Sequence, residues 1–289
     1  MSGGSAVEGA VYLLDKPRGL TSRKAAAEVA GAWDFDKFGH GGTLDPDATG
    51  VLLVLLGRAT RLSRFLTGHG KRYLFDVVLG SATDTDDATG TVVRESEPGQ
   101  GPPERERLDE ILASFTGDFQ QRPPSFSAVK VDGKRAFRAA REGEALELPA
   151  KPVQARDWTV RSLGSDRISL EVTVSSGTYV RSLARDIGEA LGSAAHADDI
   201  RRLSVGDFRV EECSTEPRSP ESLLTMAGAM RGFASVRLGG RSLVSIRHGM
   251  TVPADVAGTA AVLGPGDALV AVGEADGTAI RPICVLRPL

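Results

Sequence analysis

A glycine-rich stretch near the N-terminus holds the residues best suited to chemistry. Residues 39–50 contain four glycines, with His40 and Asp45 among them. Glycine lets a backbone approach a ligand closely. Pro46 restricts the residue before it to extended conformations, so we expect the Asp45 carboxylate to be held in one direction. A fixed carboxylate suits a nucleophile or a general base, although an Asp-Pro pair can also simply begin a turn.

The residue pattern argues against two other kinds of site. No Lys-Ser or Lys-Thr pair follows the glycines, so the stretch is not a phosphate-binding P-loop. His40 and Asp45 lack the further ligands that a metal ion needs. Cys213 and Cys284 are far apart and form no CxxC pair, which argues against both a zinc site and a disulfide scaffold. We therefore expect no metal and two reduced thiols.

The elements that must position this stretch are predicted from hydrophobic periodicity. The pattern indicates a strand at Val11–Leu14 and a helix from Arg23 to about Ala30, capped by Thr21 or Ser22. Val51–Leu56 is a continuous apolar run, typical of a strand buried on both faces. Further along, the pattern predicts helices at 58–66, 104–115, from 135 and near 181–191, and strands at 71–79, 127–131, 153–163, 167–175 and 201–210. Mostly hairpin-like strands with interspersed helices indicate an α+β fold with a mixed, largely antiparallel sheet.

The chain is long enough for one large domain and one small one. It has 289 residues, and after about residue 215 Gly, Val and Ala dominate, with Pro253 and Gly277 among the residues that separate short strands. We therefore predict a large domain over residues 1–231 and a small β-rich domain over residues 232–289.

Charge is distributed unevenly along a chain whose net charge is only −3. Residues 48–75 include five basic side chains and no acid, and residues 119–141 include six with Asp132 as the one acid. Such runs can form a basic face for nucleic acid, or they can be scattered solvated side chains. No apolar run is long enough to span a membrane, and the first residues do not resemble a secretion signal, so we expect a cytoplasmic location.

The glycine-rich stretch resembles the signature loop of the TruB pseudouridine synthases, a family of RNA-modifying enzymes. Six further segments resemble motifs of that family and occur in the same order, at residues 16–22, 71–73, 83–90, 124–130, 177–181 and 201–203. The seven segments lie between about residues 11 and 210. The chain is thus similar to the bacterial enzymes of this family that act on uridine 55 of tRNA.

The resemblance implies roles for single residues. The catalytic aspartate of the family falls on Asp45, and Arg181 is expected to pair with it and keep it ionised. Tyr73 is expected to stack on the target base or to act as a base. A uracil inside an RNA loop must be flipped out of its stack before an enzyme can reach it, and an aromatic ring then gives the extruded base a new stacking surface. The expected substrate- and RNA-binding residues are His40, Tyr179, Ile200, Lys130 and Arg202.

The implied reaction is the isomerisation of uridine to pseudouridine in the T loop of tRNA. It needs no cofactor, because no group is transferred and no net redox change occurs. The implied fold is that of the pseudouridine synthases followed by a small RNA-binding domain of the PUA type, and we expect a monomer that binds the T stem-loop. Two alternatives stay open, namely pseudouridylation of another RNA and non-catalytic binding or folding of tRNA on the same scaffold.

Overall fold

A computed structural model describes residues 8–97, 101–127, 130–131, 134–135 and 148–286, with the backbone alone for 130–131 and 134–135. The helix expected from Arg135 lies outside the described residues. The α-helices are α1 (Ser22–Ala32), α2 (Ser63–Leu66), α3 (Arg105–Ser114), α4 (Val180–Ala190) and α5 (Gly240–Arg247). No helix in these ranges is long and apolar enough to cross a membrane.

The strands form one large sheet, one five-stranded sheet and two short hairpins. Those of the large sheet are β1 (Gly9–Lys16), β2 (Phe38–His40), β3 (Thr49–Gly57), β4 (Lys71–Leu79), β7 (Gly117–Gln121), β10 (Lys151–Leu163), β11 (Arg167–Val174), β12 (Ala195–Val205), β13 (Phe208–Arg209) and β14 (Leu223–Thr225). The hairpins pair β5 (Ser81–Thr83) with β6 (Val92–Glu95) and β8 (Lys130–Val131) with β9 (Lys134–Arg135). The five-stranded sheet contains β15 (Ala234–Arg237), β16 (Val252–Pro253), β17 (Ala257–Leu263), β18 (Leu269–Asp276) and β19 (Ala279–Val285).

The large sheet is mixed, with mostly antiparallel neighbours. Its order is β14-β1-β3-β12-β4-β11-β10-β7, with β2 added beside β3 and β13 beside β12. Strands β3 and β12 pair in parallel, and the other pairs of this sheet are antiparallel. This confirms the predicted α+β class with a mixed, largely antiparallel sheet and a small β-rich C-terminal part.

Strand β3 is buried on both faces, as its apolar run predicts. Val51, Leu53 and Leu55 pack into a core shared with the C-terminal sheet. Leu52, Val54 and Leu56 pack into a second core under α1. Every side chain from Val51 to Leu56 therefore has apolar neighbours, and the strand forms a rigid base directly after the Asp45 loop.

Strand β4 alternates between a buried and a partly exposed face. Tyr73, Phe75 and Val77 lie on the buried face, in a core that also contains residues of α3 and α4. Because side chains of a strand alternate with period two, Lys71 lies on this same face. The side chains that β4 sends into the molecule thus reach the N-terminal end of α4.

The C-terminal sheet packs against the large sheet through apolar residues. Leu263, Leu269 and Cys284 lie in the same core as Val51 and Leu53. The boundary between domains at residues 231 and 232 stays a prediction.

Two predicted elements need correction. The strand predicted at 201–210 is β12, which runs over Ala195–Val205, because the alternation is hidden by an extra residue near Asp199. The helix predicted at 58–66 consists of a 3₁₀ segment, Arg58–Leu62, followed by the single α-helical turn of α2.

Candidate active site

The backbone on the N-terminal side of Asp45 is fixed by a buried serine. Ser22, at the start of α1, accepts a hydrogen bond from the Leu44 N–H at 2.8 Å and donates one to the Leu44 carbonyl at 2.9 Å. The helix is capped by Thr21, whose hydroxyl accepts a hydrogen bond from the Lys24 N–H. Ser22 is therefore free to hold the loop, and the residue before Asp45 is tied to the helix at both of its backbone groups.

The backbone on the other side of Asp45 is fixed by a fully buried lysine. The Lys16 ammonium group donates to the carbonyl oxygens of Pro17, Leu20 and Pro46 at 2.8–2.9 Å. Burial lowers the pKa of Lys16 to about 8, and the nearby Asp47 and Asp45 oppose this change. With Leu44 and Pro46 both held, the Asp45 carboxylate has little freedom to move with its loop.

Arg181 forms an ion pair with Asp45 and contacts both of its carboxylate oxygens. Its Nε lies 2.9 Å from one carboxylate oxygen of Asp45, and its Nη2 lies 3.3 Å from the other. The guanidinium group also donates to the carbonyl oxygens of Thr85 and Phe126, at 2.7 and 3.0 Å, and lies 3.6 Å from Asp87. These contacts fix a planar donor group at the start of α4, with its positive charge against the Asp45 carboxylate.

Two opposing effects act on the Asp45 carboxyl group. Its burial in the cavity raises its pKa above the ordinary value, and the positive charge of Arg181 opposes that rise. The Asp45 side chain is 43% exposed, while that of Arg181 is 6% exposed. The carboxylate is thus partly withdrawn from water and remains open to the cavity on one side.

Asp45 and Arg181 lie in the wall of a cavity of about 450 Å³. This is within the range of small-molecule binding sites. Its described lining consists of Gly42, Thr43, Leu44, Asp45, Ala48, Thr67, Lys71, Tyr73, Phe126, Ser127, Ser176, Gly177, Thr178, Tyr179, Val180, Arg181, Ile200 and Arg202. The charged groups of this lining are one carboxylate and three cations.

Two tyrosines contribute aromatic surface to the cavity. Tyr73 is buried on β4, and Tyr179 precedes α4. The Tyr179 backbone N–H and carbonyl both bind the side-chain amide of Gln121, and the Lys151 ammonium group lies 4.4 Å from the centre of its ring. Burial raises the pKa of Tyr179. Both rings are thus held in place, and either can give a flat base a stacking surface.

A bulge in β12 accompanies the placement of Ile200 at the cavity. Asp198 pairs with Asp76 and Arg201 pairs with Leu74, so β12 has one residue more than β4 over this interval. Asp199, within the bulge, has a positive φ of 45°. Such an extra residue interrupts the regular alternation and redirects side chains, and Ile200 lines the cavity.

Arg202 and Lys71 supply the two remaining cations. Arg202 is fully buried, and its guanidinium group donates to the carbonyl oxygens of Val51 and Gly42, at 2.7 and 3.2 Å. Lys71 is 7% exposed, and burial, followed by the charge of Arg202, lowers its pKa to about 8. Both side chains therefore bring positive charge into a region with little water.

The structure brings six of the eight predicted site residues together around the cavity, namely Asp45, Tyr73, Arg181, Tyr179, Ile200 and Arg202. His40 is half-buried at the end of β2 and is not among the residues that line the cavity. Burial lowers the pKa of its imidazole. Lys130 lies in β8, where only the backbone is described. The roles of all eight residues stay predictions.

Sequence reasoning missed four polar residues around Asp45: Lys16, Ser22, Lys71 and Asp87. Each lies inside one of the seven motif segments. A further signal was available at Lys16, because a lysine at the end of an otherwise apolar strand must find several hydrogen-bond acceptors if it is buried.

Part of the predicted basic face is used inside the protein. Arg58 and Arg64 donate to backbone carbonyls of Leu286 and Ile283, at the contact with the C-terminal sheet. Lys71 is buried at the cavity. The basic run at residues 48–75 therefore contributes less to the outer surface than its sequence suggests.

Comparisons with known proteins agree on one family. The N-terminal domain model of the TruB family pseudouridylate synthases matches residues 31–180. The chain is 37% identical to "tRNA pseudouridine synthase B" of Mycobacteroides abscessus in an alignment 288 residues long that covers 96% of each protein. It is 46% identical to the protein of the same name from Ruegeria sp. (strain TM1040) over 201 residues, which are 69% of this chain and 66% of that protein.

A solved structure extends the similarity to the whole fold. The chain superimposes on a chain of a Cbf5–Nop10–Gar1 complex with a TM-score of 0.73 and 26% identity. The superposition covers 98% of this chain and 86% of that chain. It therefore includes the C-terminal sheet as well as the large sheet.

Proposed function

Because this chain belongs to the TruB family of pseudouridylate synthases, we propose that it isomerises uridine to pseudouridine in tRNA. The observation that carries the proposal is the ion pair of Asp45 and Arg181 in the wall of a cavity sized for a small ligand. The relatives named tRNA pseudouridine synthase B support tRNA as the substrate.

We propose that Asp45 acts as the nucleophile, or assists, at the glycosidic carbon of the flipped nucleotide. Its carboxylate is partly withdrawn from water, open to the cavity and oriented by Arg181. A nucleophile held in this way reacts without first shedding a full shell of water. The hydrogen bond from Lys16 to the Pro46 carbonyl keeps the Asp45 carboxylate at the cavity wall.

The rest of the cavity is suited to retaining a detached base. Tyr73 offers a buried ring face, and Ile200 adds an apolar contact. The base must turn so that its C5 faces the sugar, and it must not leave during that time. Enclosure by fixed side chains lowers the entropic cost of bringing the two pieces together again.

The target within the RNA is proposed on the motif resemblance and on the relatives' names. We propose uridine 55 in the T loop as the target, the T stem-loop as the bound element and a monomer as the active form. We also propose a cytoplasmic location and an RNA-binding, PUA-like role for residues 232–289. Lys130 and His40 are proposed to contact the RNA outside the cavity.

The direct test is incubation of the protein with an unmodified tRNA transcript. Pseudouridine is mapped by chemical labelling followed by primer extension, with Asp45→Asn as the matched control. We expect one stop, in the T loop, with the wild-type protein and none with the variant. The variant keeps the shape of the side chain and loses its charge, so it should still bind tRNA.

Other outcomes favour the alternatives. Tight tRNA binding without product from either protein would favour a binding or folding role. A product in ribosomal RNA with none in tRNA would favour another RNA substrate. A stop outside the T loop would keep the reaction and refute the proposed position.

A further inference from the structure

Two cations stand in the cavity wall without a carboxylate beside them. Arg202 is fully buried, and its Nη1 is a buried donor with no hydrogen-bond partner in the described part of the chain. Among the described residues, neither Arg202 nor Lys71 belongs to an ion pair, whereas Arg181 faces Asp45 and Arg185 faces Asp86. The cavity wall is therefore more positive than its single carboxylate can balance.

Such an arrangement is costly for the empty protein. A buried cation without a counterion loses its hydration and gains little in return. The Lys71 ammonium group is nevertheless held in place by the carbonyl oxygens of Thr67 and His69, at 3.0 and 2.8 Å, and by the Ser176 hydroxyl at 3.4 Å. These partners are neutral, so the positive charge remains available to an anion in the cavity.

Both cations lie beside Tyr73. Lys71 precedes Tyr73 by two residues on the same face of β4, and Arg202 is the direct cross-strand partner of Tyr73. A Cβ atom built on Gly42 would lie 3.6 Å from both Arg202 Nη1 and Lys71 Cε. The two side chains thus border the same small volume, in the wall of the cavity that Tyr73 also lines.

We propose that Lys71 and Arg202 form a cationic wall that stabilises the uracil base as an anion while it is detached from the ribose. The inference rests on the proposed function, since that reaction is what detaches a uracil in this cavity. It assigns to the pair an electrostatic role separate from the orientation of Asp45.

The chemistry of the step requires such a charge. When the bond between N1 and C1′ breaks, its electron pair stays with the base, and the negative charge spreads over N1 and the two carbonyl oxygens. While the base is detached, C1′ is bonded to a carboxylate oxygen of Asp45. When the base has turned, the electron pair at C5 forms the new bond to C1′ and the bond from C1′ to Asp45 breaks, which regenerates the carboxylate. The proton on C5 then leaves to a base in the cavity and N1 takes up a proton, so that substrate and product contain the same atoms. If Asp45 instead first adds to the base, the ring also becomes an anion at a carbonyl oxygen. Fixed cations in a water-poor site stabilise either species without reorganising.

The test compares Lys71→Met with Lys71→Arg in single-turnover reactions on tRNA. Loss of the charge is expected to lower the rate constant by about 100-fold, as for removal of one preorganised donor. The affinity for tRNA should change little. Lys71→Arg keeps the charge and should retain most of the rate.

A second substrate separates electrostatics from structural damage. Fluorine at C5 makes the departing base less basic, so its anion needs less help from the wall. With 5-fluorouridine tRNA, followed as loss of the 5-fluorouridine nucleoside from digests, the deficit of Lys71→Met should therefore shrink. A merely structural role would lower the rate on both substrates by the same factor.

Glu171→Gln is the matched control. Glu171 is a buried charge that pairs with Arg72 and Arg161, and Arg72 lies on the face of β4 opposite to Lys71. This variant should lose thermal stability and keep its rate constant. If Lys71→Met is too unstable to study, Lys71→Gln carries the same comparison.

The outcomes are distinct. An equal deficit on both substrates, or a loss confined to tRNA affinity, would overturn the cationic wall. An unchanged rate constant in folded Lys71→Met would overturn it as well. If the wild-type protein itself forms no pseudouridine in any RNA, the proposed function fails, and the inference falls with it.

Discussion

Replacing Arg181 should change the pH dependence of the reaction as well as its rate. In the proposed reaction the ionised Asp45 carboxylate is the reacting form, so activity should fall as the pH drops through its pKa. Burial raises this pKa, and Arg181 holds it down. In Arg181→Met the pKa should rise further, so the acid limb of the profile should move to higher pH.

The size of the change follows from the geometry of the pair. Two unit charges about 4 Å apart attract by about 4 kcal/mol at an effective dielectric constant of about 20. Because the Asp45 side chain is 43% exposed, solvent screens the pair, and we take half of that energy, about 2 kcal/mol. Since one pH unit corresponds to about 1.4 kcal/mol, the acid limb should move up by about 1.5 pH units.

The assay is the single-turnover rate constant for pseudouridine formation between about pH 4.5 and 8, with Arg181→Lys beside Arg181→Met. Lysine keeps the charge, so its acid limb should stay near that of the wild type. Its rate should still fall, because the donors of an ammonium group share one nitrogen, whereas the guanidinium contacts Asp45, the Thr85 carbonyl and the Phe126 carbonyl from separate nitrogens. An unmoved acid limb in folded Arg181→Met that binds tRNA would refute this reasoning.

Three further substitutions test the framework of the site. Asp45→Asn should abolish product and leave the melting temperature equal or higher, because burial disfavours the native carboxylate; a clearly lower melting temperature would contradict this. The pKa of Lys16 falls to about 8 on folding, so the unfolded chain binds more protons above that pH. In urea unfolding, the free energy of unfolding of the wild type should therefore rise by about 2 kcal/mol relative to that of Lys16→Met between pH 8 and about 9.5. If the free energies of the two proteins follow parallel curves against pH, the lowered pKa of Lys16 is excluded. Gly50→Ala should lower the melting temperature far more than Gly117→Ala. Both glycines have a positive φ, but only at Gly50 would an added Cβ meet backbone, 2.1 Å from the Arg202 carbonyl oxygen. Equal melting temperatures of the two variants would refute the clash.

The elements around the site were largely predictable because their patterns are local. The apolar run of β3 and the alternation of β4 depend only on neighbouring residues, and both strands form where expected. The start of β12 was missed because two register shifts break its alternation. One of them lies next to Ile200, so the irregularity that hides the strand accompanies a residue at the cavity.

Contacts between distant segments were not predictable from spacing. The sequence shows Lys16 only as the polar end of a strand. Its role becomes visible in the folded chain, where its ammonium group lies 2.8 Å from the Pro46 carbonyl oxygen. The sequence shows Arg202 only as one of two adjacent arginines, yet Arg201 pairs with Asp15 while Arg202 is buried without a counterion among the residues that the structure describes. Identical side chains at neighbouring positions thus have opposite environments because a strand alternates its faces.

The position of the cavity follows from one feature of the sheet. In the large sheet, the described pairing of β3 with β12 is parallel, at Arg201–Thr49 and Arg202–Gly50, and it joins two antiparallel halves. Gly50 permits this close crossing because its φ is +100° and it has no Cβ to meet the Arg202 backbone. The Asp45 loop enters β3 at this junction, and Tyr73 lies across β12 from it. Carboxylate, aromatic ring and cations therefore meet because the two halves are joined here, and a side chain at residue 50 would separate them.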